Sequence, residues 1–201
     1  MAIKWAAPRP GQRALDVCCG SGDLAYLLAR AVGPAGSVVG LDFAAAMLTD
    51  ARRRAGEMQP AGGRPAAAVE WTQGDAMALP FPDASFDAAT MGYGLRNVAD
   101  IDAALRELAR VLRPGSSAAL LDFNNSSDPL VDGAQAWVLS NIVVPAARQY
   151  GLGEEYEYLR PSIKRFPSGP QQEAAARAAG FSRAIHYEVG FGLMGILVAT
   201  K

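Results

Sequence analysis

The chain has 201 residues, half of them apolar, with 19 basic and 20 acidic side chains and a net charge of −1. That length suggests one domain around one full core, and the even charge balance excludes the cationic footprint of a nucleic-acid binder. The only cysteines, Cys18 and Cys19, are adjacent and lack a CxxC partner, so neither a disulfide framework nor a four-ligand zinc site is expected, no metal is assigned, and the compartment reads as reducing.

Taken in chain order, no charged and apolar leader precedes the first strand, so any targeting segment is expected to be absent from the sequence. Strand Ala14–Val17 leads into helix Asp23–Val32, strand Ser37–Leu41 into helix Ala44–Glu57, and strand Val69–Trp71 is followed by strand Phe86–Met91 and helix Asp100–Leu112. Strand Ala118–Phe123 precedes helix Val131–Val144, and helix Gln171–Ala179 starts after Ser168-Gly169-Pro170 and stops at Gly180. This alternation predicts an α/β fold with a doubly wound, mainly parallel sheet. Two last apolar runs, Ile185–Val189 and Leu193–Ala199, are joined by a turn with Gly190 and Gly192 and should pair antiparallel. The segment Arg148–Pro167 mixes aromatic, charged and turn residues and reads as a lid with no regular core element. The uncharged stretch Gly133–Ala147 is broken by Gln135, Ser140, Asn141 and Pro145 and is too short to span a bilayer, so the protein is expected to be soluble or at most peripheral.

The chemistry concentrates after the first strand. Leu15-Asp16-Val17-Cys18-Cys19-Gly20-Ser21-Gly22-Asp23 is a strand, a glycine turn and a helix start, which lets backbone amides approach a ligand closely. With Asp42 some twenty residues on, the spacing Gly20-x-Gly22-x-x-Ala25 also meets the dinucleotide fingerprint, so a nicotinamide dehydrogenase competes with a nucleoside-type cofactor. Charge separates them: Asp23 in the first helical turn would repel a pyrophosphate, whereas the ammonium and sulfonium of S-adenosyl-L-methionine are complemented by Asp16 and Asp23. Asp42 closes the second strand, where a carboxylate accepts ribose hydroxyls, and after the third strand Gly74-Asp75-Ala76 offers an acid and an amide to adenine. The bland alternatives are a loop cap for Asp16, a helix-dipole residue for Asp23 and a turn-forming pair for Gly74-Asp75.

Six segments make a recognisable set: the glycine loop, Gly40-Leu41-Asp42-Phe43, Gly74-Asp75-Ala76, Leu79-Pro80-Phe81, Met91-Gly92-Tyr93-Gly94-Leu95-Arg96-Asn97-Val98 and Arg110-Val111-Leu112-Arg113-Pro114-Gly115. Together they resemble the membrane-quinone C-methyltransferases of ubiquinone and menaquinone synthesis, from about Ala14 to the C-terminus. Gly92-Tyr93-Gly94-Leu95-Arg96-Asn97, Leu121-Asp122-Phe123-Asn124 and Glu155-Tyr156-Glu157-Tyr158-Leu159 are most similar to the plant and cyanobacterial branch that methylates demethylphylloquinone. The bacterial ubiquinone branch carries a Ser-Phe-Gly version of Gly92-Tyr93-Gly94. The resemblance implies a class I methyltransferase fold with an antiparallel last strand and S-adenosyl-L-methionine as cofactor. It places that cofactor on Ser21, Asp42, Asp75, Ala76 and Gly92, to which the residues of the glycine loop and the second strand end add Asp16, Gly20, Gly22, Asp23 and Phe43. It implies a prenylated quinol as substrate, a chloroplast location, and compatibility with peripheral membrane contact and a homo-oligomer. Family members carry a segment with a Tyr-Asp pair before the first strand; this sequence begins after it, which is expected to weaken cofactor binding.

The resemblance implies that a methyl group moves to a ring carbon beside a quinol hydroxyl of the reduced substrate. Phenolate character in the ring then needs a base or a stabilising cation. Arg96 is the candidate cation, since arginine stays protonated, with Asn97 as its hydrogen-bonding partner, Tyr93, Tyr156 and Tyr158 as ring-stacking residues, and water as proton acceptor. His186 reads as structural. Leu139, Ile142 and Val143 in Trp137–Val144 either wall a tail-binding surface or pack in the core. The alternative acceptors are a demethylmenaquinol or a ubiquinone-pathway benzoquinol, and the alternative of another class is an inactive cofactor-binding subunit of a quinone-synthesis complex.

Overall fold

Successive side chains of a strand point to opposite faces of a sheet, and the apolar residues of this chain sort accordingly. The computed structural model describes residues 2–57, 66–126, 128–143, 145 and 159–201. The strands are β1 (Arg13–Val17), β2 (Ser37–Asp42), β3 (Val69–Gln73), β4 (Phe86–Gly92), β5 (Leu112–Phe123), β6 (Arg183–Val189) and β7 (Met194–Thr200). They form one seven-stranded sheet in the order β3-β2-β1-β4-β5-β7-β6. From β3 through β5 the neighbours are parallel, and β7 runs antiparallel between β5 and β6. This is the doubly wound, mainly parallel sheet with an antiparallel last strand that the sequence predicts.

The helices are α1 (Ala2–Ala6), α2 (Asp23–Val32), α3 (Ala45–Glu57), α4 (Ile101–Val111), α5 (Pro129–Val138), α6 (Leu159–Arg165) and α7 (Gly169–Ala178). Leu15, Val39 and Ala89 meet Leu105 and Leu108 of α4 and Ala176 of α7 in one apolar cluster. Their strand neighbours Ala14, Val38 and Ala88 join Leu28, Ala29 and Val32 of α2 and Ala2 and Ala6 of α1 in the other. Both faces of the parallel sheet are therefore covered, as such sheets require.

Four elements depart from the sequence reading by more than a residue or two at an end. Helix α1 was not expected; its Ala2 and Ala6 are buried, and Trp5 stacks on Tyr187 with ring centroids 4.8 Å apart. Strand β5 starts at Leu112 rather than Ala118: Leu112 pairs with Phe86 and Ser117 with Ala88, so Arg113 to Ser116 bulge within the strand. The fifth helix begins at Pro129, where proline suits a first turn, and passes into a π-helical turn at Leu139–Val143. The expected lid over residues 148–167 is in part a helix: α6 buries Leu159, Ser162 and Ile163 along one face and turns Pro161, Lys164 and Arg165 outward. Pro161 hid this helix from the sequence reading, yet it falls in the first turn, where it costs no hydrogen bond. Residues 148–158 of that lid, with Tyr156 and Tyr158, lie outside the described residues, as does the side chain of Ile142. Leu139 packs with Leu159 and Ile163, with Val143 alongside, which is the core role.

The chain leaves β1 toward β2 and returns to β4 on the opposite side of β1. Their carboxyl ends diverge there, and a crevice opens at this switch point.

Candidate active site

The crevice is a cavity of about 520 Å³. Its floor is the turn after β1. Cys18 and Gly20 adopt left-handed backbone at φ +54° and +52°, and both line the cavity. The loop is tied to the next strand: Cys19 N donates to the Leu41 carbonyl at 2.9 Å, and Gly20 N donates to Asp42 Oδ2 at 2.8 Å. Asp42 Oδ1 accepts from Ala44 N at 2.9 Å, so its carboxylate is fixed between the glycine loop and the start of α3 while facing the cavity. Phe43 is exposed beside it on the cavity wall. Asp75 is held likewise, with Oδ1 accepting from Met77 N at 2.8 Å, and Ala76 follows on the lining.

The opposite wall comes from β4. Gly92 and Tyr93 line it, and Tyr93 is a second non-glycine residue in the left-handed region, at φ +57°; its amide donates to the Leu121 carbonyl at 2.7 Å. Gly94 comes next, pressed so close to the loop after β1 that an added Cβ would lie 2.5 Å from Cys18 Cβ. Backbone strain of this kind persists only where the surroundings over-determine it, and it clusters at functional sites. Asn97 closes this wall, its Nδ2 donating to the Tyr93 carbonyl at 2.9 Å.

Arg96 touches its neighbour Asn97 but belongs to a different cavity. It lines a second cavity of about 520 Å³, which meets the first at Val98 and Ala99, residues common to both. Its Nε donates to Asp122 Oδ1 at 3.1 Å, its backbone amide to Asp122 Oδ2 at 3.1 Å, and its Nη1 to Ser162 Oγ at 2.7 Å and Asn97 Oδ1 at 3.1 Å. Its side chain is 7% exposed and that of Asp122 5%, so this is a buried ion pair. Burial pushes the Asp122 carboxyl up from its ordinary value, and the Arg96 charge opposes that.

The remaining expected residues stand behind the cavity. Asp16 is buried and accepts from Thr90 Oγ1 at 2.7 Å, and burial pushes its pKa up to about 7. Ser21 and Asp23 face Arg54 of α3, and Gly22 packs on Trp71. The charge argument drawn from Asp23 changes accordingly, because Arg54 pairs with that carboxylate at 2.7 Å. What disfavours a pyrophosphate is the lining itself, which presents Asp42 and Asp75 and, among the described residues, no lysine or arginine. Two carboxylates aligned by backbone amides suit ribose hydroxyls and an adenine amino group, so the residues present fit S-adenosylmethionine.

Sequence reasoning missed Cys18, Met47, Met77, Val98 and Ala99 on the lining, and Ser162 and Arg54 behind it. Asp122 lies within a motif that carried the resemblance, but its partner was not foreseen. The Cys18 thiol is pushed up to about 12, by burial first and then by the Asp42 and Asp16 carboxylates. His186 sits on β6 with Gly169 and Gly195 packed against its ring, outside both cavities, and its amide donates to Glu173. That is the structural role expected.

The chain matches the ubiE/COQ5 methyltransferase family over residues 1–201. It is 53% identical over 201 residues to a Synechocystis sp. protein named 2-phytyl-1,4-naphtoquinone methyltransferase, covering all of this chain and 82% of that one. It is 48% identical to the chloroplastic 2-phytyl-1,4-beta-naphthoquinone methyltransferase of Arabidopsis thaliana, covering all of this chain and 76% of the relative. Among solved structures, a SAM dependent methyltransferase from Aquifex aeolicus shares the fold with a TM-score of 0.70 at 20% identity, covering 98% of this chain and 86% of that one. A full-length family match, close relatives and a class I methyltransferase topology agree: this chain belongs to the ubiE/COQ5 methyltransferase family and is an S-adenosylmethionine-dependent methyltransferase.

Proposed function

We propose that the chain methylates the ring of a reduced 2-phytyl-1,4-naphthoquinone. The observation that carries this reading is identity of about one half, across the whole chain, to relatives named for that acceptor in cyanobacteria and Arabidopsis. S-adenosylmethionine supplies an electrophilic methyl group. The new carbon–carbon bond forms at the ring carbon beside a quinol hydroxyl as the sulfur–methyl bond breaks, and the proton of that ring carbon leaves to water.

In this reading Asp42 accepts the ribose hydroxyls, Asp75 and Ala76 meet the adenine, and Gly20 and Gly92 lie against the methionine portion of the donor. Tyr93 stacks on the acceptor ring and Asn97 holds the Tyr93 carbonyl in place. The acceptor approaches across Val98 and Ala99, where the two cavities meet, so that Arg96 faces it from the second and offsets phenolate charge. Among the described residues no helix is long and apolar enough to cross a membrane. Contact with a bilayer would fall to exposed apolar side chains at the carboxyl edge of the sheet, Leu130 and Trp137 on α5 and Phe191 between β6 and β7, which are 83%, 61% and 99% exposed. By analogy with the chloroplastic Arabidopsis relative, we place the protein in the chloroplast.

The test is transfer of a labelled methyl group to the reduced phytyl naphthoquinone, to its oxidised form, to a demethylmenaquinol and to a benzoquinol of the ubiquinone pathway. Product from the two reduced naphthalene acceptors, with none from the oxidised form, supports the reading. Transfer confined to the benzoquinol overturns it.

A further inference from the structure

The loop between β1 and α2 is held in a demanding shape. Cys18, Gly20 and Gly22 all have positive φ, at +54°, +52° and +92°, and such conformations last only when neighbouring groups impose them. From below, the Trp71 ring imposes one limit: an added Cβ on Gly22 would lie 2.5 Å from its Cη2, and one on Gly40 2.6 Å from its Cζ3. From the side, the β2–α3 unit grips the loop twice. Asp42, at the end of β2, receives the Gly20 amide. Arg54, near the other end of α3, reaches Ser21 and Asp23.

Arg54 Nη1 donates to the Ser21 carbonyl at 3.1 Å and to Ser21 Oγ at 2.5 Å, and Nη2 donates to Asp23 Oδ1 at 2.7 Å. These contacts are unequal. The Asp23 side chain is 72% exposed, so that ion pair is screened and contributes little. The two bonds to Ser21 are partly buried and fix one peptide of the loop from both its carbonyl and its hydroxyl side. A planar guanidinium can hold that pair and the carboxylate at once; an ammonium on a flexible stem holds fewer of them.

We infer that Arg54 is a positioning residue for the methyl donor. It clamps the glycine loop at Ser21, next to Gly20, which faces the cavity. It touches neither the acceptor nor the transferred group, so it acts on donor affinity and leaves the transfer step alone. The inference rests on the donor lying in the cavity between Asp42 and Gly92, as proposed above.

Calorimetric titration of Arg54→Met and Arg54→Lys with S-adenosylhomocysteine, which needs no acceptor, tests it together with melting curves and steady-state kinetics. Arg54→Met should raise Kd for S-adenosylhomocysteine and KM for S-adenosylmethionine about tenfold, with kcat changed by less than about twofold. Its melting temperature should match that of the parent, and Arg54→Lys should recover part of the affinity. Unchanged affinity in Arg54→Met overturns the inference. A fall in kcat and melting temperature alongside affinity also overturns it, because Arg54 would then only support the fold. Failure of the acceptor reading looks different: S-adenosylhomocysteine binds the parent normally while the phytyl naphthoquinol receives no methyl group.

Discussion

The two walls of the crevice solve the same placement problem with opposite electrostatics. On the β1–β2–β3 side, Asp42 and Asp75 are aligned by neighbouring backbone amides and keep their carboxylates on the cavity. On the β4–β5 side, the charged group Arg96 is sunk into an ion pair with Asp122 and tied through Ser162 to α6. The first arrangement separates ligand binding from stability, because each acid is only partly buried and is held by backbone amides, so neutralising it leaves no buried countercharge. The second joins them: Arg96 cannot be altered without leaving a buried carboxylate uncompensated.

The sharpest way to break this comparison is Arg96→Met. Removing one partner of a buried pair should cost about 3–5 kcal/mol in denaturant unfolding, alongside loss of methyl transfer. Adding Asp122→Asn to that variant should restore much of the stability and none of the activity. Stability unchanged in Arg96→Met would mean that the two walls do not differ in kind.

A second test uses Asp16, a buried acid behind the wall that carries Asp42 and Asp75. Its folded pKa of about 7 lies above the ordinary value of 3.8, so folding favours the protonated form. Stability is then fullest below about pH 4 and falls as the pH rises toward 7, by up to about 4 kcal/mol. Unfolding measured from pH 4 to 8 should show this decline, and Asp16→Asn should flatten it. A stability that rises over the same interval would show Asp16 to be ionised in the fold.

The smallest expected effect on stability, and the one that isolates the accessible wall, is Asp42→Asn. If Asp42 holds the ribose as proposed, loss of its charge should weaken S-adenosylmethionine by about 100-fold. Unfolding should change by no more than about 1 kcal/mol, because the amide oxygen still accepts from Gly20 and the Ala44 amide, which loses its partner, is exposed to water. Equal losses of affinity and stability would place Asp42 with Arg96.

The sequence made the sheet and the accessible wall legible for the same reason. Strand periodicity, glycine turns and acids at strand ends are local signals, and the strand Ser37–Leu41 followed by Asp42 reads directly as β2 and its terminal carboxylate. What escaped depends on distant partners. Nothing near Arg96 in the chain announces Ser162, which lies 66 residues away on a helix whose proline masked its period. Arg54 looks like one more basic residue of a polar helix until α3 packs beside the glycine loop. The charge of Asp16 suits an ammonium or sulfonium, but its register on β1 points it at Thr90 of the neighbouring strand, a pairing that only the sheet reveals.

Cys18 carries a further consequence. A thiolate on the wall of a chamber built for an electrophilic methyl group would be a competing nucleophile, and each encounter would convert it irreversibly to a thioether. With its pKa raised to about 12, only about one molecule in 10⁵ carries that thiolate at pH 7. Burial first, and the Asp42 carboxylate proposed to hold the donor second, thus keep the neighbouring sulfur protonated and guard it against alkylation.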